Sequence, residues 1–309
     1  MNDNQDTGSR FHPLTITTLG ILFVSTASIF IRFAQAEASS IVIGAARLLI
    51  ASLVLVPIAL LRFRGELSIL NRLDLTSGTL SGIFLALHFA SWITSLQFTS
   101  VASSVVLVTT TPLWVALLSP VLLKEPVRKP VLIGLFISLT GTVIVSLADA
   151  CNLINGDLRC QIQFFSRDAL WGNFLALFGA WMAAGYMIIG RQLRKKLSTV
   201  PYAALVYGIA ALILLLFVIF RNEPIFTYSG KTYLWLLALG IFPQLLGHSF
   251  LNWALKYISA SYVSLTLLGE PIGTILLAFL FLKESPTLIE GAGAILIMIG
   301  IVVGSVRRS

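Results

Sequence analysis

The sequence predicts an all-α polytopic membrane protein: ten transmembrane helices, arranged as two inverted five-helix repeats around a central cavity. Three observations carry this. First, 57% of the 309 residues are hydrophobic and only 11% are charged, with a mean hydropathy of +0.93. A soluble domain carries about 25% charged residues, enough to cover its surface, so lipid must solvate much of this chain. Second, apolar stretches of spanning length, about 20 residues, recur along the whole chain. Third, the sequence matches itself when shifted by 159 residues, which sets Pro112 on Pro271.

The spans read, in order, as 14–33, 40–61, 75–96, 101–123, 131–147, 169–189, 201–220, 232–255, 261–282 and 288–305. They are too long for barrel strands and lack in–out alternation. Inside hydrocarbon the backbone must bond to itself, which leaves helices. The loops between them orient the chain. Arg10 precedes the first span. Arg62, Arg64 and Arg72 separate the second from the third, and Lys124, Arg128 and Lys129 the fourth from the fifth. Arg191, Arg194, Lys195 and Lys196 follow the sixth, Lys256 the eighth, and Arg307 and Arg308 the tenth. The alternate loops hold only Arg159, Arg167, Arg221, Lys231 and Lys283. Cytoplasmic loops carry the excess of Lys and Arg, so both termini are predicted cytoplasmic, in a multi-pass protein of the cell inner membrane. The net charge of +8 is therefore a topology signal and not a nucleic-acid surface. Ala34-Gln35-Ala36 resembles a signal-peptide cleavage site. The long apolar stretch, the Arg32 that interrupts it, and the repeat, which needs this helix, argue against cleavage.

The shift of 159 aligns Leu96 with Leu255, Ser100 with Ser259, Lys124-Glu125 with Lys283-Glu284, and Gly134, Gly141 and Ser146 with Gly293, Gly300 and Ser305. It also sets Gly20 on Gly179 and Arg32 on Arg191. Five spans per half is an odd number, so the second half enters the membrane the other way up. Inverted repeats of this kind build many secondary transporters, with the site near the midplane at the repeat interface. The expected organisation is a first repeat over 1–148, an extracytoplasmic loop over 149–168, and a second repeat over 169–309.

The stretch from Ala86 to Ala102 (ALHFASWITSLQFTSVA) and its counterpart from Gly247 to Ala260 (GHSFLNWALKYISA) resemble the third-to-fourth helix passage of EamA-type members of the drug/metabolite transporter superfamily. The Lys-Glu pairs at 124–125 and 283–284 and the Glu270-Pro271 pair fit the same family. The resemblance runs from about Leu14 to Ser305. It implies a ten-helix fold with both ends cytoplasmic, a central cavity and alternating access. It also implies a recurrent basic residue at Arg47. Members move amino acids, drugs, purines and other metabolites, so it implies no particular substrate.

Several residues are candidates for the transport path. Glu270 is an ionisable group inside a span, which is costly and faces a cavity or a partner. It reads either as a cation or proton site or as a structural lock. Arg47 lies mid-span and reads as a ligand for a substrate carboxylate or phosphate, as a partner of Glu270, or as a buried Arg holding carbonyls. The pairing or structural role is the one expected. Gln244, His248 and Asn252 are spaced to share a helix face, and His88 and Trp92 share another. They line one cavity from two sides, or they are interhelical hydrogen bonds. Trp92, Trp181, Tyr186 and Trp253 offer π faces to a solute, or they serve packing and the membrane interface. Pro112 and Pro271 remove an amide donor and should bend or open their helices. Gly134, Ser138, Gly141, Gly293, Gly300 and Gly304 form close-packing faces, as internal packing or as a dimer contact.

Cys151 and Cys160, the only cysteines, fall in the extracytoplasmic loop and read as a disulfide or as two free thiols. No phosphate-binding loop, no H-E-x-x-H and only three His occur, so no ATPase engine, metal site, catalytic site or cofactor is expected. The expected partners are a small-molecule substrate, the lipid bilayer and protons, with no nucleic acid, in a monomer or homodimer. The predicted function is secondary transport of a small metabolite, amino acid or drug-like solute. A channel-like facilitator, a receptor or scaffold, and an intramembrane enzyme are the rivals.

Overall fold

The structure, a computed structural model, describes residues 12–99, 101–154, 157–160, 167–277, 279–280 and 287–306. The first half comprises helices α1 (Pro13–Ala34), α2 (Ser40–Arg62), a short α3 (Arg64–Ser68), α4 (Arg72–Ser95), α5 (Val101–Val108), α6 (Thr111–Leu122) and α7 (Lys129–Ala150). The second comprises α8 (Arg167–Leu193), α9 (Thr199–Phe220), α10 (Gly230–Leu239), a π-helical turn (Gly240–His248), α11 (Ser249–Ala254), α12 (Ala260–Leu267), α13 (Glu270–Leu277) and α14 (Leu288–Ser305). Among the described residues nine helical segments are long and apolar enough to cross a membrane, and α7 adds a shorter apolar stretch, Lys129–Val145. Together they make the ten predicted spans. The exposed surface carries large apolar side chains such as Phe220, Val121 and Phe136, while Arg47, Gln244 and Asn252 are almost wholly buried. Polar inside and apolar outside is the arrangement a bilayer selects.

Helix starts follow local chemistry. Ser39 caps α2 by accepting from the Val42 amide, Asn71 and Asp74 form a reciprocal capping box on α4, and Thr287 and Glu290 do so on α14. Such caps satisfy amides that have no partner inside the helix.

The packing shows how the repeats meet. Helices α7 and α14 pack together, as do α2 and α9, α4 and α8, and α1 with the π-helical turn. Gly134 faces the Gly300 carbonyl and Gly141 the Gly293 carbonyl, and both contacts are returned from the other side. The shift of 159 exchanges these two contacts. Ser138 donates to the carbonyl of Ile297, its own counterpart, at 3.2 Å. Gly20 lies against the Gly247 carbonyl, and Gly179 against that of His88, again exchanged by the shift. A pseudo-twofold axis therefore relates the halves, and α7 and α14 run antiparallel across it. Glycine is required along this seam because a Cβ would collide with backbone. These contacts are internal to one chain.

Four features differ from the expected spans. The fourth span is interrupted at Thr109 and Thr110 and resumes in α6, with Pro112 in its first turn. The ninth is interrupted at Leu268 and Gly269 and resumes in α13 at Glu270. The sixth helix runs on to Leu193, so Arg191 is helical and not in a loop. The eighth is π-helical around Pro243, whose missing amide cannot close an α-turn. Its counterpart in regular α4 is Phe84, which explains why only one half carries the distortion.

Between the halves, the residues of the polar loop form an antiparallel hairpin of Cys151–Ile154 and Asp157–Cys160. Its register sets Cys151 opposite Cys160. Their side chains lie outside the described residues.

Candidate functional site

The broken fourth and ninth spans, together with α1, α2, α4, α8 and α11, surround a cavity at the repeat interface. The room it leaves for a water-sized sphere is about 100 Å³, tighter than a typical small-molecule site. Arg47, His88, Trp92, Pro112, Tyr186, His248, Asn252 and Glu270 line it.

Arg47 has one side bound and one side free. Its Nε donates to Gln244 Oε1 at 3.0 Å. Its guanidinium carbon stands 4.1 Å from the centroid of the Phe89 ring, a cation–π arrangement. Nη1 and Nη2 are buried with no hydrogen-bond partner. Glu270 opens α13. Its main-chain carbonyl accepts from Ser25 at 3.0 Å and from Thr274 at 3.1 Å, which anchors the helix break to α1. Among the described residues its carboxylate has neither a hydrogen bond nor an ion pair within 4.0 Å. Arg47 and Glu270 line the same cavity without an ion pair between them among the described residues, so of the readings open to Arg47 direct pairing with Glu270 is not the one this structure shows.

The histidines are held differently. His88 Nδ1 lies 2.9 Å from the Gly179 carbonyl, and its ring stacks on Trp92 at 5.9 Å. His248 meets Phe89 edge-on at 5.6 Å. Phe89 and His248 are repeat counterparts, so the pseudo-axis passes between them. A polar chain runs along the opposite wall. Tyr186 donates to Asn252 Oδ1 at 2.6 Å, and Asn252 Nδ2 donates to the Tyr207 hydroxyl at 2.9 Å. Asn252→Leu leaves two buried hydroxyls without that partner and is expected to cost about 1–3 kcal/mol for each group left unsatisfied. Thermal unfolding in detergent checks this; a midpoint equal to wild type would show that the chain contributes nothing to stability.

Three candidates stand off the wall. Gln244 lies behind Arg47 and orients it. Trp253 is one position on from Asn252, which turns it away, and it packs on Tyr257 at 4.4 Å between ring centroids. Pro271 likewise follows Glu270 and points elsewhere, so it shapes the break and is not among the lining residues. The hydroxyls of Thr109, Thr110 and Thr111 accept no solute role by default. They donate to the carbonyls of Val105, Leu107 and Val108 at 2.7, 2.6 and 2.8 Å and so hold the first break.

Two things escaped the sequence. Phe89 and Met187 belong to the wall, and the repeat could have flagged Phe89 as the counterpart of His248. The other is a cluster of polar bonds near one end of the cavity. Arg191 Nε pairs with Glu125 at 2.8 Å and its Nη1 donates to the carbonyls of Leu255 and Lys256 at 2.5 and 3.0 Å. Gln192 donates to the Leu122 carbonyl at 3.0 Å. These bonds join α6, α8 and α11 beside Leu255, a cavity residue. Toward the other face, Glu37 accepts from the Ser229 amide at 2.7 Å, which holds its carboxyl below the usual range.

The chemistry of the two halves is not symmetric. Arg47, His248 and Glu270 correspond to Val206, Phe89 and Thr111. One fold is duplicated, but the polar equipment of the cavity is not.

Comparison with known proteins gives a consistent result. A family model described as the EamA-like transporter family matches residues 13–147 and 170–306. An uncharacterized transporter of Archaeoglobus fulgidus is 24% identical over 238 residues, covering 76% of this chain and 77% of the relative. The uncharacterized transporter YetK of Bacillus subtilis is 24% identical over 320 residues, covering 97% and 93%. A crystal structure of a protein superimposes with a TM-score of 0.79 at 21% identity, covering 96% of this chain and 97% of that one, which speaks to the fold alone.

Proposed function

The chain belongs to the EamA-like transporter family, and from that premise we propose that it is a secondary transporter carrying a small amphipathic solute through the central cavity by alternating access. It is a multi-pass membrane protein. The cell inner membrane, with both termini cytoplasmic, is the location that its loop charges favour. The observation that carries the reading is the cavity itself. It lies where the inverted repeats meet, and two of its walls are interrupted helices, the places where such transporters bind solute.

Alternating access needs an end that opens. The Glu125–Arg191 cluster is a small set of polar bonds near one end of the cavity and would be the part that opens, while the closely packed glycine seam of α7 and α14 would hold. Rocking one repeat against the other about that seam would break the first and preserve the second. Glu270 is the group best placed to couple the motion to a proton or cation. An ionised carboxylate within the membrane is costly, and this one has no ion-pair or hydrogen-bond partner among the described residues.

Counterflow separates this from its rivals. Purified protein in proteoliposomes preloaded with unlabelled solute, tested over a panel of amino acids and small metabolites, is expected to accumulate the labelled solute transiently for at least one panel member. A channel gives flux without overshoot or saturation. Binding without any movement across the bilayer, in protein shown to be folded, would point to a receptor and overturn the proposal.

A further inference from the structure

The fully buried polar atoms left unpaired around the cavity share one character, while the partly buried carboxylate of Glu270 is an unpaired acceptor. Among the described lining residues, the fully buried side-chain nitrogens and oxygens without hydrogen-bond partners are Arg47 Nη1, Arg47 Nη2 and Trp92 Nε1. All three are donors. A fourth donor, Gln244 Nε2, is unpaired beside Arg47. Arg47 is only 1% exposed, and a buried guanidinium with free N–H groups is not a resting arrangement that packing alone favours.

Its geometry narrows the ligand. Gln244 occupies Nε, and Phe89 covers one face of the plane. What remains is the terminal edge, where Nη1 and Nη2 present two parallel N–H groups. That edge matches the two oxygens of a carboxylate. One guanidinium supplies a single positive charge, and the acidic Glu270 on the same wall adds none, so a dianion would keep one charge uncompensated in a largely apolar space. Much of the remaining wall is apolar, with Leu85, Met187, Leu251 and Leu267. We propose that Arg47 is the carboxylate-binding residue of the cavity, and that its solute is a monocarboxylate with an apolar body. Gln244 acts as a positioning residue, holding Nε so that the terminal edge stays free. The inference rests on the transport reading only in placing the solute in the same cavity.

The test measures binding, not flux. L-Leucine, L-phenylalanine and hexanoate, each beside its primary amide, are titrated calorimetrically into the full chain in detergent. At least one acid is expected to bind about tenfold to a hundredfold tighter than its amide, the range of a hydrogen-bonded charged group. Arg47→Lys keeps the charge but not the two parallel donors; it should weaken the acid more than the amide and so lose most of that preference. Trp92→Phe, which deletes one donor, serves if Arg47→Lys fails to fold, and should weaken the acid by a few-fold more than the amide. Equal binding of acids and amides, no binding by any acid, or unchanged preference in the variants that fold would overturn the proposal. Acid-selective binding without counterflow would instead sink the transport reading and leave the site standing. Counterflow indifferent to the carboxylate would do the reverse.

Discussion

Glu270→Gln protein in proteoliposomes is expected to fold normally and to lose solute uptake driven by a pH gradient. The substitution preserves shape, and the carboxylate has no hydrogen bond or ion pair to forfeit among the described residues. Stability should therefore not fall, since the substitution removes no specific contact of the carboxylate among the described residues. The coupling should change far more. One pH unit across the membrane is worth about 1.4 kcal/mol per proton moved, which is about tenfold in accumulation. If Glu270 carries that proton, the variant equilibrates its solute and no longer concentrates it. Comparing final accumulation ratios with and without an imposed gradient reads this directly. Full gradient-driven accumulation in the variant would remove Glu270 from the coupling path. Saturable uptake that ignores the gradient in both proteins would make the chain a facilitator, with Glu270 structural.

Gly141→Ala is expected to destabilise the protein by about 1–3 kcal/mol, as overpacking does, although alanine is the better helix former by about 1 kcal/mol in an exposed helix. A Cβ at this position would stand 2.6 Å from the Gly293 carbonyl oxygen and 2.8 Å from the Ile297 amide nitrogen. Both are backbone atoms of a helix and cannot turn aside, so α7 and α14 must separate. Gly291→Ala supplies the contrast. It lies in α14 too, but a Cβ there meets nothing within 4 Å, so the change should be neutral or stabilising. Unfolding midpoints in detergent that move the same way for both variants would mean that the seam is looser than its geometry requires.

How much of this was legible beforehand depends on the residue. The ten spans needed only hydropathy, because a helix crossing hydrocarbon must be apolar over a set length whatever its neighbours do. The repeat needed only identity at a fixed shift, and the seam glycines that it aligned are those that meet. Pro112 and Pro271 marked two helices for breakage through a missing amide. Pro243 carried the same signal but passed unnoticed, and the π-helical turn beside the cavity went with it. Arg191 reads as a loop charge because helix ends are hard to place in sequence, and its bonds to Glu125, Leu255 and Lys256 have no local signature.

Rotation was the harder problem. In a soluble protein an amphipathic stripe shows which face is inside. In a bilayer both the lipid-facing and the core-facing sides are apolar, so the stripe is faint. The spacing of Gln244, His248 and Asn252 reads as one face of the eighth span. Only packing decided that His248 and Asn252 reach the cavity while Gln244 stands behind Arg47. The same holds for Trp253, whose neighbour lines the wall and which itself packs on Tyr257.

The sequence by itself determined that this is a ten-helix membrane protein of duplicated, inverted design, and that Glu270 and Arg47 are its costliest residues. Those properties depend on composition, length and repetition, which are read along the chain. The tertiary structure alone decided that, among the described residues, Arg47 and Glu270 share a cavity without pairing and the Arg47 terminal edge has no hydrogen-bond partner, and that Arg191 pairs with Glu125. Those properties depend on distances between residues up to 223 positions apart (Arg47 to Glu270), and no local pattern records them.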